Sequence, residues 1–273
     1  MNIVIIGAQK AGTTWLYSML RQNPGVVTAF QKEIHYFDHR CNPNFKFERY
    51  RRYILEKFKK LEKLDRPGQK EYLNYCLDPD TAFTDEWYRN IFLKKPRNQS
   101  QLASGKPISF LDASPSYMTI PDHGVAHMAS VTGGSEPILL VRDPVRRMIS
   151  GLTMKLLRTQ DRANPLKPAD IIRNEQISRG SYSLAIPKFR KHFGGLHIIP
   201  FKDIQTQPME VMKAIEAKFR LPEADYARLS EKNNSKSGKL ELGEDTISLI
   251  REVCEPEYYY LKAEFGAEFI TRI

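Results

Sequence analysis

Apolar residues run without a break through Ile3, Val4, Ile5 and Ile6 at the start of the chain. A continuous β-branched run of this kind is the pattern of a strand covered on both faces of a parallel sheet. Gly7-Ala-Gln-Lys-Ala-Gly12-Thr13-Thr14 follows with no spacer. From Trp15 the apolar positions Trp15, Leu16, Met19 and Leu20 recur with a helical period, and Asn23-Pro24-Gly25 stops the helix. The chain therefore opens as strand, glycine loop, helix.

The same alternation continues. Val26 and Val27 predict a second short strand within 24–30, and further strands are expected over 107–112, 137–141 and 196–201. Phe47, Tyr50, Ile54, Phe58 and Leu61 mark an amphipathic helix over 45–64, with Arg66-Pro67-Gly68 closing it. Phe83, Trp87, Tyr88, Ile91 and Phe92 mark another over 78–93, opened by Asp80 or Thr84. Polar, proline-bearing 94–106 reads as an exposed loop. Pro144 starts a helix directly after the strand at 137–141, and 152–177 reads as helix, loop and helix. Helices over 208–219 and 245–265 complete the pattern. The expectation is an α/β fold of three layers, α/β/α, around a central parallel sheet. A single domain would span 1–273, with helical insertions for the substrate region near 42–104 and 152–177.

Composition narrows the partners. The 31.6 kDa chain carries a formal net charge of +10 and a pI near 9.4, which favours an anionic ligand or an acidic partner. Zinc-finger spacing, RNP-type aromatic motifs and repeated basic heptads are absent from the sequence, so nucleic acid is not the expected partner. No apolar run reaches transmembrane length and the first strand leaves no room for a signal peptide, which predicts a soluble cytoplasmic protein without stable membrane insertion. Cys41, Cys76 and Cys254 are odd in number and widely spaced, so reduced thiols are expected, with no disulfide or zinc site. The basic face of 45–64 is either a solvated cationic face or a site for an acidic acceptor or membrane surface. Oligomeric state is not legible.

A glycine loop feeding a helix N-terminus gathers unpaired N–H groups and the positive end of the helix dipole in one small volume, so an oxyanion is the expected guest. Lys10 adds a full charge, and Thr13 and Thr14 add hydroxyl donors. The loop resembles the P-loop GxxxxGK[ST], except that Thr13 follows Gly12 where that motif has lysine. A tight turn with no ligand is the plain alternative.

Lys10-Ala11-Gly12-Thr13-Thr14-Trp15-Leu16 resembles the 5′-phosphosulfate loop of sulfotransferases that use 3′-phosphoadenosine 5′-phosphosulfate (PAPS). Gln31-Lys32-Glu33-Ile34-His35-Tyr36-Phe37-Asp38 is similar to the KEVHFFD-type segment of the heparan-sulfate branch. The resemblance implies a P-loop NTPase-like sulfotransferase fold and transfer of a sulfuryl group from PAPS to a hydroxyl or amine of a carbohydrate or small natural-product acceptor. It implies 3′,5′-ADP as product and no metal, since a sulfuryl group carries less charge than a phosphoryl group and a lysine can serve where kinases use magnesium.

The resemblance also implies roles. Glu33 is the candidate base, with a simple ion pair to Lys32 or Lys10 as its alternative. His35 is a partner orienting Glu33, a substrate contact with Lys32, or a packed histidine. Arg142 at a strand end and Ser150 on the following helix match the 3′-phosphate motif, a guanidinium fork and a hydroxyl suited to a phosphomonoester. Asp112 to Tyr117 corresponds to a segment in which the family carries a lysine at the place of Ala113, leaving Lys10 as the obvious cation. Ser114, Ser116 and Tyr117 are candidates to line the acceptor pocket. Tyr182, in a G-x-Y unit, either approaches the nucleotide or packs in the core. Lys236, Ser237, Gly238 and Lys239 form a basic loop that either closes over the phosphates or is plain surface. Two rivals remain: an ATP-dependent small-metabolite kinase with Asp112 on magnesium, and a non-catalytic basic protein that binds acidic polymers.

Overall fold

The computed structural model describes residues 2–60, 68–159, 167–173, 177–230 and 240–273. Five strands, β1 (Asn2–Gly7), β2 (Val26–Thr28), β3 (Ser109–Ala113), β4 (Ile138–Val141) and β5 (His197–Pro200), form one sheet in the order β2-β3-β1-β4-β5, every pair parallel. Helices flank the sheet, and the fold is the expected three-layer α/β arrangement. β1 holds the centre because Ile3 to Ile6 are buried to within 1% of completely. Burying each such side chain is worth about 1.5–3 kcal/mol, so the apolar run dictates the central place. Ile5 lies opposite Ala113 of β3 on one side and Ile138 of β4 on the other.

The order makes a crevice. After β1 the chain leaves toward β2, whereas after β4 it leaves toward β5, so connections diverge at the carboxyl ends of these two neighbours. Open parallel sheets bind ligands at such a point. Both the glycine loop and Arg142 stand there.

Several elements differ from the pattern reading. Of the two residues expected to open the helix over 78–93, Thr84 does so: it is extended, its hydroxyl accepts from the Trp87 N–H at 3.1 Å, and the helix begins at Asp85, leaving 78–83 as turns. Residues 94–106 are not a plain loop: a 3-10 turn (Pro96–Asn98) and a short helix (Gln99–Leu102) clamp β2. There the buried Asn98 amide donates to the carbonyls of Thr28 and Phe92 at 3.1 and 2.7 Å. Helices Gln69–Cys76 and Asp122–Thr132 escaped the pattern, while the closing helix runs from Glu244 to a break at the non-helical Gly266, as expected, and a further helical stretch follows to Arg272. The basic amphipathic helix spans Phe47–Lys60, with Phe45 and Lys46 ahead of it outside the helix, and 61–64 lie outside the described residues. The cysteines are unpaired. Among the described residues no helix is long and apolar enough to cross a membrane.

Candidate active site at the carboxyl edge of the sheet

The glycine loop is fastened at both ends. The Ala8 N–H donates to the Leu140 carbonyl of β4 at 3.0 Å, and Leu16 N–H makes the first helical bond, to Gly12, at 3.1 Å. The N–H groups of Thr13, Thr14 and Trp15 therefore precede the helical ladder of Thr13–Leu20 and are available to an anion. Gly12 has φ +96°, and a Cβ there would lie 2.3 Å from Ile204 Cδ1, so both backbone angle and space require glycine. Ala11 and Thr13 are buried, Thr14 is exposed, and the Trp15 indole is tied down by donating to the Leu229 carbonyl at 3.1 Å.

Arg142 leaves the end of β4 and closes onto this loop. Its Nη1 donates to the Lys10 carbonyl at 2.7 Å and its guanidinium lies 4.6 Å from the centroid of the Phe201 ring. The Nε is buried with no protein partner, an orphaned donor beside the glycine loop. Burial lowers its pKa. The Lys10 ammonium is also lowered, first by burial and then by the charges of Arg142 and Arg158. Three cations thus converge on the loop, and Arg158, at the far end of the helix Pro144–Thr159, was not assigned to it from sequence. Ser150 is on the same helix and partly exposed. An anion suits this set of loop N–H groups, an ammonium and a guanidinium.

Of its two expected places, Tyr182 takes the packed one. It is fully buried, and its hydroxyl accepts from the Arg142 N–H at 3.1 Å while donating to the Arg142 carbonyl at 3.0 Å. Burial pushes its pKa up to about 12. The buried side chain braces the backbone of Arg142. Lys236, Ser237, Gly238 and Lys239 lie outside the described residues.

The second half of the site follows β2. His35 stands in the left-handed region (φ 60°) as the residue before helix Tyr36–Arg40. A latch from β3 holds it there. The His35 N–H donates to Ser114 Oγ at 3.2 Å, the Ser114 hydroxyl donates to Asp112 at 2.8 Å, and the Tyr117 hydroxyl donates to Asp112 at 2.7 Å while accepting from the Tyr36 N–H at 3.0 Å. Ser114 and Tyr117 are completely buried, so the expectation that they line an acceptor pocket is corrected: they fasten the segment that carries Glu33. Complete burial pushes the Asp112 pKa up to about 6, against the lowering effect of the Tyr117, Ser114 and Tyr88 hydroxyls. An aspartate enclosed by three hydroxyls presents no face to a metal ion, which disfavours the kinase reading.

Glu33 is exposed. Its carboxylate lies 3.2 Å from Lys32 Nζ and 3.4 Å from His35 Nε2, while His35 Nδ1 lies 2.8 Å from Asp38 and 3.1 Å from Ser116 Oγ. Burial opposes the charge on His35, but hydrogen bonds to Asp38 and Glu33 outweigh it and raise its pKa to about 9. Burial likewise works against the Glu33 carboxylate, and the hydrogen bond from His35 with the Lys32 charge brings it down to about 2. At neutral pH the group is a carboxylate, imidazolium, carboxylate chain. His39 stacks on His35 with centroids 5.1 Å apart and on Phe45 at 4.0 Å; burial lowers its pKa to about 4, so it stays neutral. The ligand atoms of His35, Asp38 and His39 lie within 4.8 Å of one another.

Because β3 separates β2 from β1, the Glu33 segment and Lys10 flank the end of β3. At that end is Ala113, buried and opposite Ile5. The family lysine would project from this position.

Comparison with solved structures gives the same architecture. The chain is similar to a sulfotransferase from Alicyclobacillus acidocaldarius, with a TM-score of 0.62 and 18% identity over 96% of this chain and 94% of that one. It is more distantly similar to the sulfotransferase domain from the curacin biosynthetic pathway (TM-score 0.49, 14% identity, 94% and 96% covered). Likeness to the sulfotransferase domain of the Synechococcus PCC 7002 olefin synthase is of the same order (TM-score 0.47, 17% identity, 92% and 93% covered). No curated protein sequence matches. A profile of the sulfotransferase family matches residues 2–225, and the chain belongs to that family.

Proposed function

We propose that the protein transfers a sulfuryl group from PAPS to a hydroxyl or amine of a small-molecule or glycan acceptor, in the cytoplasm. The observation that carries this reading is the seating of Arg142 on the Lys10 carbonyl, which joins two anion-binding devices into one crevice. The residues fit the donor: N–H groups of Gly12 to Trp15 and the Thr13 and Thr14 hydroxyls hold the 5′-phosphate, and Arg142 with Ser150 holds the 3′-phosphate. When bound, PAPS supplies the sulfuryl group and departs as 3′,5′-ADP.

Lys10 neutralises negative charge on the leaving phosphate oxygen. Its lowered pKa reflects burial and cationic crowding, both of which a phosphate relieves. Glu33 takes the acceptor proton. Held near 2, it is a weak base in the free protein, and an acceptor that displaces water from its exposed face raises its pKa toward a more effective value. His35, protonated between Glu33 and Asp38, fixes the carboxylate's orientation, and Ser116 beside it is the polar group left to meet an acceptor. Gripping the donor at both phosphates while the acceptor enters beside Glu33 supplies the in-line approach.

Incubation with labelled PAPS and an extract of the producing organism, followed by mass spectrometry, should show an acceptor gaining one sulfate. Glu33→Gln should lower kcat by about 10²–10⁴-fold with 3′,5′-ADP affinity retained. Unchanged turnover in that variant removes Glu33 from the base role.

A further inference from the structure

Beside the Glu33 segment, a cleft of about 220 Å³ opens between the end of β2, the helix Phe47–Lys60 and the turn Pro96–Asn98. Five cations line it: Arg21, Lys32, Lys57, Lys95 and Arg97. No carboxylate lines it among the described residues. Some lysines elsewhere turn to carboxylates, Lys191 to Asp122 at 3.2 Å and Lys218 to Glu136 at 2.6 Å. In the cleft Lys32 meets the Glu33 carboxylate, while Lys57 and Lys95 turn to neutral oxygens. Lys57 Nζ donates to Gln31 Oε1 at 3.2 Å, and Gln31 is itself held by donating to the Tyr50 hydroxyl at 2.9 Å. Lys95 Nζ donates to the Thr28 carbonyl, the Thr28 hydroxyl and the Ala29 carbonyl at 3.0, 2.8 and 2.8 Å.

These bonds hold the Lys57 and Lys95 ammonium groups at the cleft. Lys95 is held on Thr28 and Ala29, whereas Arg21 and Arg97 are exposed at the cleft and offer guanidinium donors to an anion. Like charges gathered in a concave site repel one another and focus a positive potential, a cost relieved when an anion enters. Position ties the cleft to the chemistry, since Lys32 lines it and its ammonium lies 3.2 Å from Glu33.

We infer that this cleft is an acceptor subsite for an oxyanion, a carboxylate, sulfate or phosphate carried by the acceptor at a distance from the group that is sulfated. The inference rests on Glu33 serving the acceptor, and it identifies the acceptor as an anionic molecule. Lys32 joins the two functions: it draws the acceptor's anion toward the cleft and is drawn away from Glu33 as it does so, freeing that carboxylate to receive a proton.

The test is a nuclear magnetic resonance titration of the full chain, saturated with 3′,5′-ADP so that the glycine loop is filled, against glucose, glucuronate and glucose 6-sulfate. Both anionic sugars should bind at least about tenfold more tightly than glucose, shift the amides of Thr28 to Lys32, and weaken as salt is raised. Arg21→Glu with Arg97→Glu, two exposed positions whose exchange leaves the core intact, should weaken both by at least about tenfold and leave 3′,5′-ADP affinity within about twofold. Equal binding of the three sugars, no binding of either anion, or indifference to the charge reversal overturns the inference. Failure of 3′,5′-ADP to bind in the first step sinks the sulfotransfer reading instead, and the sugar titration still reports on the cleft by itself.

Discussion

His35 holds a positive charge between two carboxylates, and substituting it with glutamine should make the protein's stability respond differently to pH. In the folded protein burial opposes the charge and the bonds to Asp38 and Glu33 overcome it, so the pKa rises from 6.5 to about 9. A folded value above the unfolded one stabilises fully below the unfolded pKa, and that stabilisation is lost as pH climbs through the folded pKa. At about 1.4 kcal/mol per pKa unit the rise is worth at most about 3.5 kcal/mol. The Glu33 side chain is 47% exposed, which screens its half of the interaction, and about 1–2 kcal/mol remains after that discount. Urea unfolding of wild type and His35→Gln across about pH 6 to 10 measures it, with the variant subtracting every other titrating group. The stability gap should be about 1–2 kcal/mol at the acid end and close toward zero above pH 9. A gap that stays constant over the range refutes the imidazolium bridge. On the acid side the sign reverses: Glu33 and Asp38 are both lowered, so their contribution is present above their unfolded values and is lost as pH falls toward 2.

Gly12→Ala should destabilise the protein by about 1–3 kcal/mol and weaken 3′,5′-ADP binding, because it combines a strained φ with a collision against Ile204. Gly133→Ala, at φ +70° with nothing within 4 Å, is the control that carries strain alone; equal losses in the two variants would dismiss the packing argument. Tyr182→Phe leaves the Arg142 N–H and carbonyl without their buried partner and should cost about 1–2 kcal/mol in unfolding experiments. It should also raise the Kd for 3′,5′-ADP several-fold in calorimetry, and an unchanged Kd would make Tyr182 a packing residue only.

What the sequence disclosed is what short-range pattern encodes. The apolar run Ile3 to Ile6, the glycine loop with its misplaced lysine, and Arg142 at the end of 138–141 each declare themselves within about ten residues, because strand burial and anion binding both act locally. Roles decided by packing across the sheet stayed hidden. Ser114 and Tyr117 look like pocket residues by type, yet β3 buries them against the Glu33 segment, 81 positions from its partner in the case of Tyr117 and Tyr36. Tyr182 could have been nucleotide contact or packing, and only the meeting of the 180–182 unit with β4 decided it. The cationic cleft was equally out of reach, since Arg21, Lys57 and Arg97 come together only after the 96–98 turn folds onto β2. The G-x-Y glycine has its reason in a distant contact too: a Cβ at Gly180 would lie 2.3 Å from Arg147 Nε.

The central claim is that the glycine loop and Arg142 form one site for a doubly phosphorylated adenosine, and calorimetry with 3′,5′-ADP tests it most directly. Wild type should bind 3′,5′-ADP much more tightly than ATP with magnesium, and Arg142→Ala should lose at least about tenfold of that affinity. Preference for ATP with magnesium, or full affinity for 3′,5′-ADP in Arg142→Ala, would contradict it.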